Sequence, residues 1–204
     1  MPFNKTVFVV DDDPEICKSF RWLFESINLQ VQTYENAGDF LDSYTNQPGC
    51  LIIDVRMPIM SGLELLEQLN SSPNKLPVIV ITGYGDISMA IRAMKAGAED
   101  FILKPVNHQN LLEATQKCLK KNNNTIISQS NVHERIDSLT RREKQVMDLV
   151  VNGKLNKQIA YDLNISLSTV EVHRANVMRK METKSLAELI KINLIYTGVI
   201  DSTE

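Results

Sequence analysis

Residues 6–14 read TVFVVDDDP, and this stretch decides the fold of the first half of the chain. Five mostly β-branched residues are followed at once by three aspartates and a proline. Short runs of this kind, bounded by polar residues, are typical of strands that a parallel sheet buries on both faces. The pattern predicts a buried strand over residues 6–10 and a helix that begins at residue 14.

The same pattern repeats along the first 120 residues. Further strands are predicted over residues 31–34, 51–54, 78–82 and 100–103. Amphipathic helical stretches alternate with them, over residues 14–26, 37–45, 62–69, 86–96 and 107–120. Five alternations of strand and helix predict an α/β fold, a doubly wound five-stranded parallel sheet with helices on both faces. Such sheets bind ligands at the carboxyl ends of their strands.

Composition favours a soluble two-domain protein. The chain has 204 residues, of which 43% are apolar and 23% charged, a globular balance. No apolar run approaches the roughly 20 residues of a membrane helix, and residues 1–5 lack the apolar core of a signal peptide. Three widely separated cysteines exclude a disulfide scaffold and a CxxC metal site. We therefore expect a cytoplasmic protein without a membrane partner.

Charge and composition divide the chain in two. Residues 1–121 carry net charge −4, whereas residues 122–204 carry +1, with a net +4 within residues 141–191. Between these halves, residues 120–131 read KKNNNTIISQSN, a polar composition typical of a linker. We expect a first domain over residues 1–120, a linker over residues 121–136 and a second domain over residues 137–204.

Polar residues collect at the predicted strand ends of the first domain. They are Asp11, Asp12, Asp13, Asp54, Thr82 and Lys104. Carboxylates that share one pocket repel each other unless a cation lies among them, and Mg²⁺ prefers such oxygen ligands. With a lysine and a hydroxyl nearby, the set indicates phosphoryl transfer to a carboxylate. Taken singly, each aspartate could have a purely structural role as a helix cap. We expect Asp13 to have this role at the helix that begins with Pro14.

The motifs VVDDDP (9–14), IIDVRMPIMSG (52–62), VIVITGYGD (78–86) and AGAEDFILKP (96–105) resemble the receiver domain of two-component response regulators. The resemblance covers residues 4–120 and implies a flavodoxin-like fold. It implies that Asp54 accepts the phosphoryl group and that Asp11, Asp12, Asp54 and the backbone carbonyl of Arg56 bind Mg²⁺. Thr82 and Lys104 correspond to the switch hydroxyl and the phosphate-binding lysine, and Phe101 to the aromatic switch position. It also implies a cis peptide before Pro105.

Two competing enzyme classes fit less well. Phosphatases of the haloacid dehalogenase type need a second aspartate two residues after the nucleophile, where this chain has Arg56. An ATPase of the P-loop type needs a GxxxxGK[ST] loop, which the sequence lacks. We therefore expect a phosphoacceptor rather than an enzyme.

The second domain is predicted to be all-α, with four short helices. Helices over residues 156–163 and 168–181, joined by a tight turn, indicate a helix-turn-helix. The S/T-x-x-E spacing predicts capping boxes at Thr140, Ser168 and Ser185. On charge pattern alone, a helical protein-interaction module with a solvated charged face remains an alternative.

Residues 137–192 resemble the LuxR-type helix-turn-helix, especially that of NarL/FixJ response regulators. The resemblance implies that residues 168–181 are the recognition helix on double-stranded DNA. Matched positions that fit phosphate contacts are Lys157, Thr169, Arg179 and Lys180. Those that fit base edges in the major groove are Glu171, Val172, Arg174 and Ala175. Glu171 also fits the capping box that begins at Ser168.

Together the two resemblances imply a response regulator. A sensor histidine kinase would phosphorylate Asp54, the protein would dimerise, and paired helix-turn-helix units would regulate transcription, by activation and with RNA polymerase as a partner. A rival interpretation keeps both domains but lets a partner protein or a constitutive dimer, rather than phosphorylation, drive DNA binding.

Overall fold

The computed structural model describes residues 5–71, 76–83, 87–120 and 129–199. The chain divides into two compact units, Met1–Asn124 and Thr125–Glu204. Within the described residues, no helix is both long and apolar enough to cross a bilayer.

The first unit is built on one parallel sheet of five strands. The strands are β1 (Thr6–Val10), β2 (Gln30–Tyr34), β3 (Gly49–Asp54), β4 (Val78–Thr82) and β5 (Asp100–Leu103). Their order across the sheet is β2-β1-β3-β4-β5, and every neighbouring pair is parallel. The order in which strands are added to the sheet reverses between β1 and β3, so their carboxyl ends form its switch point. This confirms the predicted doubly wound fold.

Five helices connect the strands of the first unit. They are α1 (Pro14–Glu25), α2 (Ala37–Ser43), α3 (Gly62–Asn70), α4 (Ile87–Lys95) and α5 (His108–Lys120). One apolar cluster joins α1 and α5 to the sheet, and its members include Phe24, Ile52 and Leu111. Strands β1 and β4 are buried at every position, because helices cover both faces of a sheet of this type.

The described part of the second unit contains five helices. They are α6 (Gln129–Asp137), α7 (Arg141–Val151), α8 (Asn156–Leu163), α9 (Leu167–Lys180) and α10 (Leu186–Tyr196). Helices α8 and α9 form the predicted helix-turn-helix, with Asn164 in the left-handed conformation at the turn (φ 52°). Ile159 of α8 and two residues of α9, Val170 and Val177, are buried inside the unit. This all-α unit confirms the predicted second fold class.

The predicted linker differs from the structure in its second half. Residues 129–136 lie in α6, which packs against α10 and buries Val132 and Ile136. Arg135 ties α6 to the end of α9, because its guanidinium donates to the carbonyl of Met181 (3.1 Å) and to Glu182 (2.6 Å). The four predicted helices of the second unit therefore become five, and residues 121–128 of the predicted linker lie outside the described residues.

The helix caps agree with the sequence at three positions and differ at one. Asp13 caps α1 as expected, and Thr140 forms the expected capping box with Glu143. Ser185 caps α10 through the amide of Glu188. At α9 the prediction was wrong: Ser166, not Ser168, is the N-cap and accepts from the amide of Thr169 at 3.1 Å.

Candidate functional site: a phosphoacceptor pocket and a nucleic-acid interface

Four strand ends bring the predicted pocket residues to one edge of the sheet. Asp11 follows β1, Asp54 closes β3, Thr82 closes β4 and Lys104 follows β5. These four strands are consecutive neighbours in the sheet. The amide of Lys104 also donates to the carbonyl of Thr82 at 2.7 Å. The sheet order thus gathers residues that are up to 93 positions apart in the chain.

Lys104 is the charged centre of this pocket. Its ammonium lies 2.5 Å from Oδ1 of Asp54 and 3.6 Å from Oδ2 of Asp11. Partial burial by itself lowers the pKa of Lys104, but the hydrogen bond and charge of Asp54 and the charge of Asp11 outweigh it and raise the pKa. Lys104 is therefore a firmly charged cation that can hold further oxygen anions beside Asp54.

Asp54 is buried and held in a fixed orientation. Its side chain is 6% exposed, and its second oxygen, Oδ2, accepts from the amide of Arg56 at 2.6 Å. The following loop is fixed by the amide of Val55, which donates to the carbonyl of Ile81 at 3.0 Å. A carboxylate presented in this way at a strand end is suited to act as a positioned nucleophile.

The pocket fits a cation beside Asp11. Oδ1 of Asp11 accepts from the amide of Asp13 at 2.9 Å, whereas Oδ2 is buried and accepts no hydrogen bond in the described structure. Burial raises the pKa of Asp11, and the Asp13 amide and the Lys104 charge offset this only in part. A bound Mg²⁺ would satisfy the unbonded oxygen and relieve the cost of burial.

Asp12 is exposed and stands next to Asp11. In the part of the chain that the structure describes, no three His, Cys, Asp or Glu side chains converge as a ready-made metal cluster. This is compatible with Mg²⁺, which usually keeps several of its own waters and so does not need a complete cluster of protein ligands. The residues that would hold it are Asp11, Asp12, Asp54 and the backbone carbonyl of Arg56.

The predicted switch residues border this pocket. Thr82 is fully buried, and its hydroxyl has no hydrogen-bond partner among the described residues. Phe101 is half-buried on β5 and pairs with Val80 of β4. The peptide bond between Lys104 and Pro105 is cis, as the resemblance implied. Thr82 therefore carries a buried polar group for which a nearby phosphoryl oxygen would be a partner.

Sequence reasoning missed the role of Gly62 at the start of α3. A Cβ atom on Gly62 would lie 2.1 Å from the carbonyl oxygen of Asp54, an impossible contact with backbone. The amide of Gly62 also donates to the carbonyl of Val55 at 3.1 Å. Only glycine therefore permits this return of the loop onto β3. The sequence signal for this tight return of the loop was a glycine directly after Ser61, the N-cap of α3.

The face of α9 that was predicted to meet DNA is largely exposed. Glu171, Val172, Ala175 and Arg179 are exposed, and so is Lys157 on α8. Val172 is notable because 59% of this apolar residue is accessible. Since Ser166 caps α9, Glu171 takes no part in the cap. The alternative role of Glu171, in a capping box with Ser168, is therefore excluded.

Three of the predicted contacts are bound within the second unit. Arg174 is half-buried and donates from Nη1 to Oδ1 of Asn156 at 2.6 Å. The hydroxyl of Thr169 lies 2.7 Å from that of Ser166. The ammonium of Lys180 donates to Glu143 (2.6 Å) and to the carbonyl of Ser138 (2.9 Å). Lys180 therefore already has two partners inside the unit, and its contact with a DNA phosphate stays a prediction.

The fold and its site define a class: a flavodoxin-like domain with a lysine-linked carboxylate pocket, followed by a helix-turn-helix unit. Residues 7–116 match the family model of the response regulator receiver domain, and residues 137–193 match that of the bacterial regulatory proteins of the luxR family. The chain belongs to the two-component response regulators of NarL/FixJ type, with a LuxR-type DNA-binding domain.

Relatives and solved structures agree with this membership. The chain is 44% identical to the transcriptional regulatory protein FixJ of Azorhizobium caulinodans, over 96% of this chain and 94% of that protein. It is 42% identical to the response regulator protein TodT of Pseudomonas putida, over 91% and 84%. The solved structure of the response regulator StyR has a TM-score of 0.55 at 43% identity, covering 94% of this chain and 99% of that one. Full-length FixJ from B. japonicum also gives 0.55, at 34% identity, covering 97% and 98%.

Proposed function

We propose that this response regulator is phosphorylated on Asp54 by a sensor histidine kinase and then binds DNA as a dimer to activate transcription. The observation that carries the proposal is the buried Asp54 carboxylate, 2.5 Å from the Lys104 ammonium and beside a second carboxylate at the same sheet edge. The matching receiver family supports the kinase as partner, and the luxR family supports DNA as ligand. The cytoplasm is the proposed location.

In the proposed reaction, a carboxylate oxygen of Asp54 attacks phosphorus, and the P–N bond to the kinase histidine breaks. The imidazole leaves with the electron pair of that bond. Lys104 balances charge on the transferred oxygens, and Asp54 stays oriented by the Arg56 amide. Asp11, Asp12, Asp54 and the Arg56 carbonyl would hold Mg²⁺, which supplies further positive charge to those oxygens when bound.

The proposed response begins at Thr82. Phosphorylation adds roughly −1.5 to −2 charge next to Lys104 and Thr82. The Thr82 hydroxyl, for which the described residues offer no hydrogen-bond partner, would turn to the phosphoryl group, and Phe101 would move inward behind it. This repacks the surface of α4, β5 and α5, which is the proposed dimer surface. Two helix-turn-helix units on paired half-sites then gain affinity through their effective concentration.

On DNA, the proposed backbone contacts are Lys157, Thr169, Arg179 and Lys180, and the proposed base contacts are Glu171, Val172, Arg174 and Ala175. The support is their exposure on α8 and α9, except for Thr169, Arg174 and Lys180, which are half-buried. RNA polymerase is the proposed partner in activation.

Labelling with a small phosphodonor tests the phosphoacceptor. Incubation with acetyl phosphate and Mg²⁺ should add one phosphoryl group to the wild type, seen by intact mass, and none to Asp54→Asn. Asp13→Asn is the matched control, because Asp13 caps α1 and should leave labelling intact. Equal labelling of Asp54→Asn would refute the assignment.

DNA affinity decides between phosphorylation and the rival trigger. The wild type should bind DNA more tightly after treatment with acetyl phosphate, and Asp54→Asn should not respond. Equal affinity with and without the donor would favour a partner protein or a constitutive dimer.

A further inference from the structure

We infer that Asn156 is a positioning residue for sequence readout, because its side-chain carbonyl holds the Arg174 guanidinium ready to contact a base. The inference rests on the proposed DNA binding of α9. Asn156 is the first residue of α8, and Arg174 lies in the middle of α9. The 2.6 Å bond therefore links the two helices of the helix-turn-helix through a single pair of side chains.

Packing between the two helices does not require this pair. Ile159 of α8 and Val170 of α9 are both fully buried. A guanidinium that is half withdrawn from water carries a desolvation cost, and burial lowers the pKa of Arg174 accordingly. An apolar residue could join the helices without that cost. The charge at this position is thus better explained by a ligand than by the fold.

The guanidinium lies next to the face that we propose meets DNA. Glu171, one turn before Arg174, and Ala175, the residue after it, are both exposed. An arginine has five N–H donors, and the bond to Asn156 engages Nη1. Enough donors remain for a two-pronged contact with O6 and N7 of guanine. Asn156 also restricts a long, flexible side chain before DNA arrives, so less freedom is lost on binding.

The experiment uses the full chain and a DNA duplex that the wild type selects from a random library. Affinity is measured for that duplex and for each of its single-base variants. Arg174→Ala should lower discrimination at one base pair per half-site by roughly 5- to 150-fold. Asn156→Ala should lower discrimination at the same base pair by at least about threefold, and the double variant should lose no more than Arg174→Ala alone.

Two further variants separate positioning from folding. Asn156→Asp keeps an acceptor for Arg174, so it should retain the base preference while the added negative charge weakens binding to every duplex. Asn156→Gln displaces the acceptor by one methylene and should lose the preference, which keeps the test valid if Asn156→Ala does not fold. Asn152→Ala, a matched change at the end of α7, should leave every ratio unchanged.

The inference is overturned if Asn156→Ala and Asn156→Gln, both folded by circular dichroism, keep the wild-type preference at the base pair that Arg174→Ala disrupts. It is also overturned if Arg174→Ala weakens all variants by one factor, because Arg174 then reads no base. Absence of any duplex selected by the wild type, even at low salt, refutes the proposed DNA binding itself and the inference with it.

Discussion

Lys180 donates a hydrogen bond of 2.6 Å to Glu143, whose side chain is only 5% exposed. The bond joins the end of α9 to the beginning of α7. Glu143 also accepts from the amide of Thr140 at 2.8 Å and so completes the capping box of α7. One buried carboxylate thus secures a helix start and anchors the proposed recognition helix.

Removing the Lys180 charge should destabilise the second unit rather than only weaken DNA binding. Lys180→Met keeps the alkyl stem but leaves Glu143 buried without its cation, which should cost about 1–3 kcal/mol. Hydrogen–deuterium exchange of α7 and α9 measures this free energy. Lys144→Met is the matched control, because the 3.4 Å pair of Lys144 with Asp137 is exposed and should contribute under about 1 kcal/mol. Equal protection in both variants would contradict the role of Lys180.

The same pair predicts a loss of stability in acid. The hydrogen bond from Lys180 lowers the pKa of Glu143; burial opposes this, and the Thr140 bonds lower it further. Because the folded pKa lies below the ordinary value of 4.5, the stabilisation is present above about pH 4.5 and is lost as the pH falls through the folded pKa. The free energies of unfolding of the wild type and of Glu143→Gln, measured in urea, should therefore converge as the pH is lowered. A constant difference between them down to about pH 2 would rule out this linkage.

The observed cap of α9 predicts different contributions to stability from two nearby serines, Ser166 and Ser168. Ser166→Ala removes the acceptor for the amide of Thr169 and should cost about 0.5–2 kcal/mol. Ser168→Ala should cost much less, since Ser168 lies inside the helix. Thermal unfolding of the two variants checks the order. A larger loss from Ser168→Ala would restore the capping box that the sequence predicted.

Thr82→Val should stabilise the first unit and abolish its response. The Thr82 hydroxyl is buried and has no hydrogen-bond partner in the described part of the chain, so an isosteric methyl group should gain about 1 kcal/mol. Thr115→Val is a control of opposite sign, because Thr115 is equally buried but its hydroxyl donates to Leu111 at 2.8 Å. Urea unfolding gives both values, and DNA affinity after acetyl phosphate treatment tests the response. Destabilisation by Thr82→Val would mean that the hydroxyl is already satisfied.

The sequence predicted the parallel sheet and the pocket well for a physical reason. Buried strands are continuous apolar runs, and Asp11, Asp54 and Thr82 interrupt or end those runs where the polypeptide leaves the sheet. Helix α6 escaped prediction because its sequence, QSNVHERID, is strongly polar and has two apolar residues, Val132 and Ile136, which are both buried. Their i, i+4 spacing was the available signal.

The contacts of long cations were harder to predict. Lys180 has the residue type and position expected of a phosphate contact, yet its partner Glu143 is 37 residues away in the chain. No local pattern distinguishes an ammonium that reaches solvent from one that reaches a buried carboxylate. The same holds for Arg174 and Asn156, which are 18 residues apart.

The order of strands has a consequence for the newly made chain. Asp11 and Asp54 are synthesised early, but Lys104, which lies close to both carboxylates, follows β5 and is 93 residues after Asp11. Such distant contacts form late, because the ends of a long segment must first be brought together. Without β5 the two carboxylates would stand at one edge with no Lys104 to balance them. If Asp54 accepts a phosphoryl group as proposed, labelling should therefore require the whole sheet to be assembled, and incomplete chains should not consume the donor.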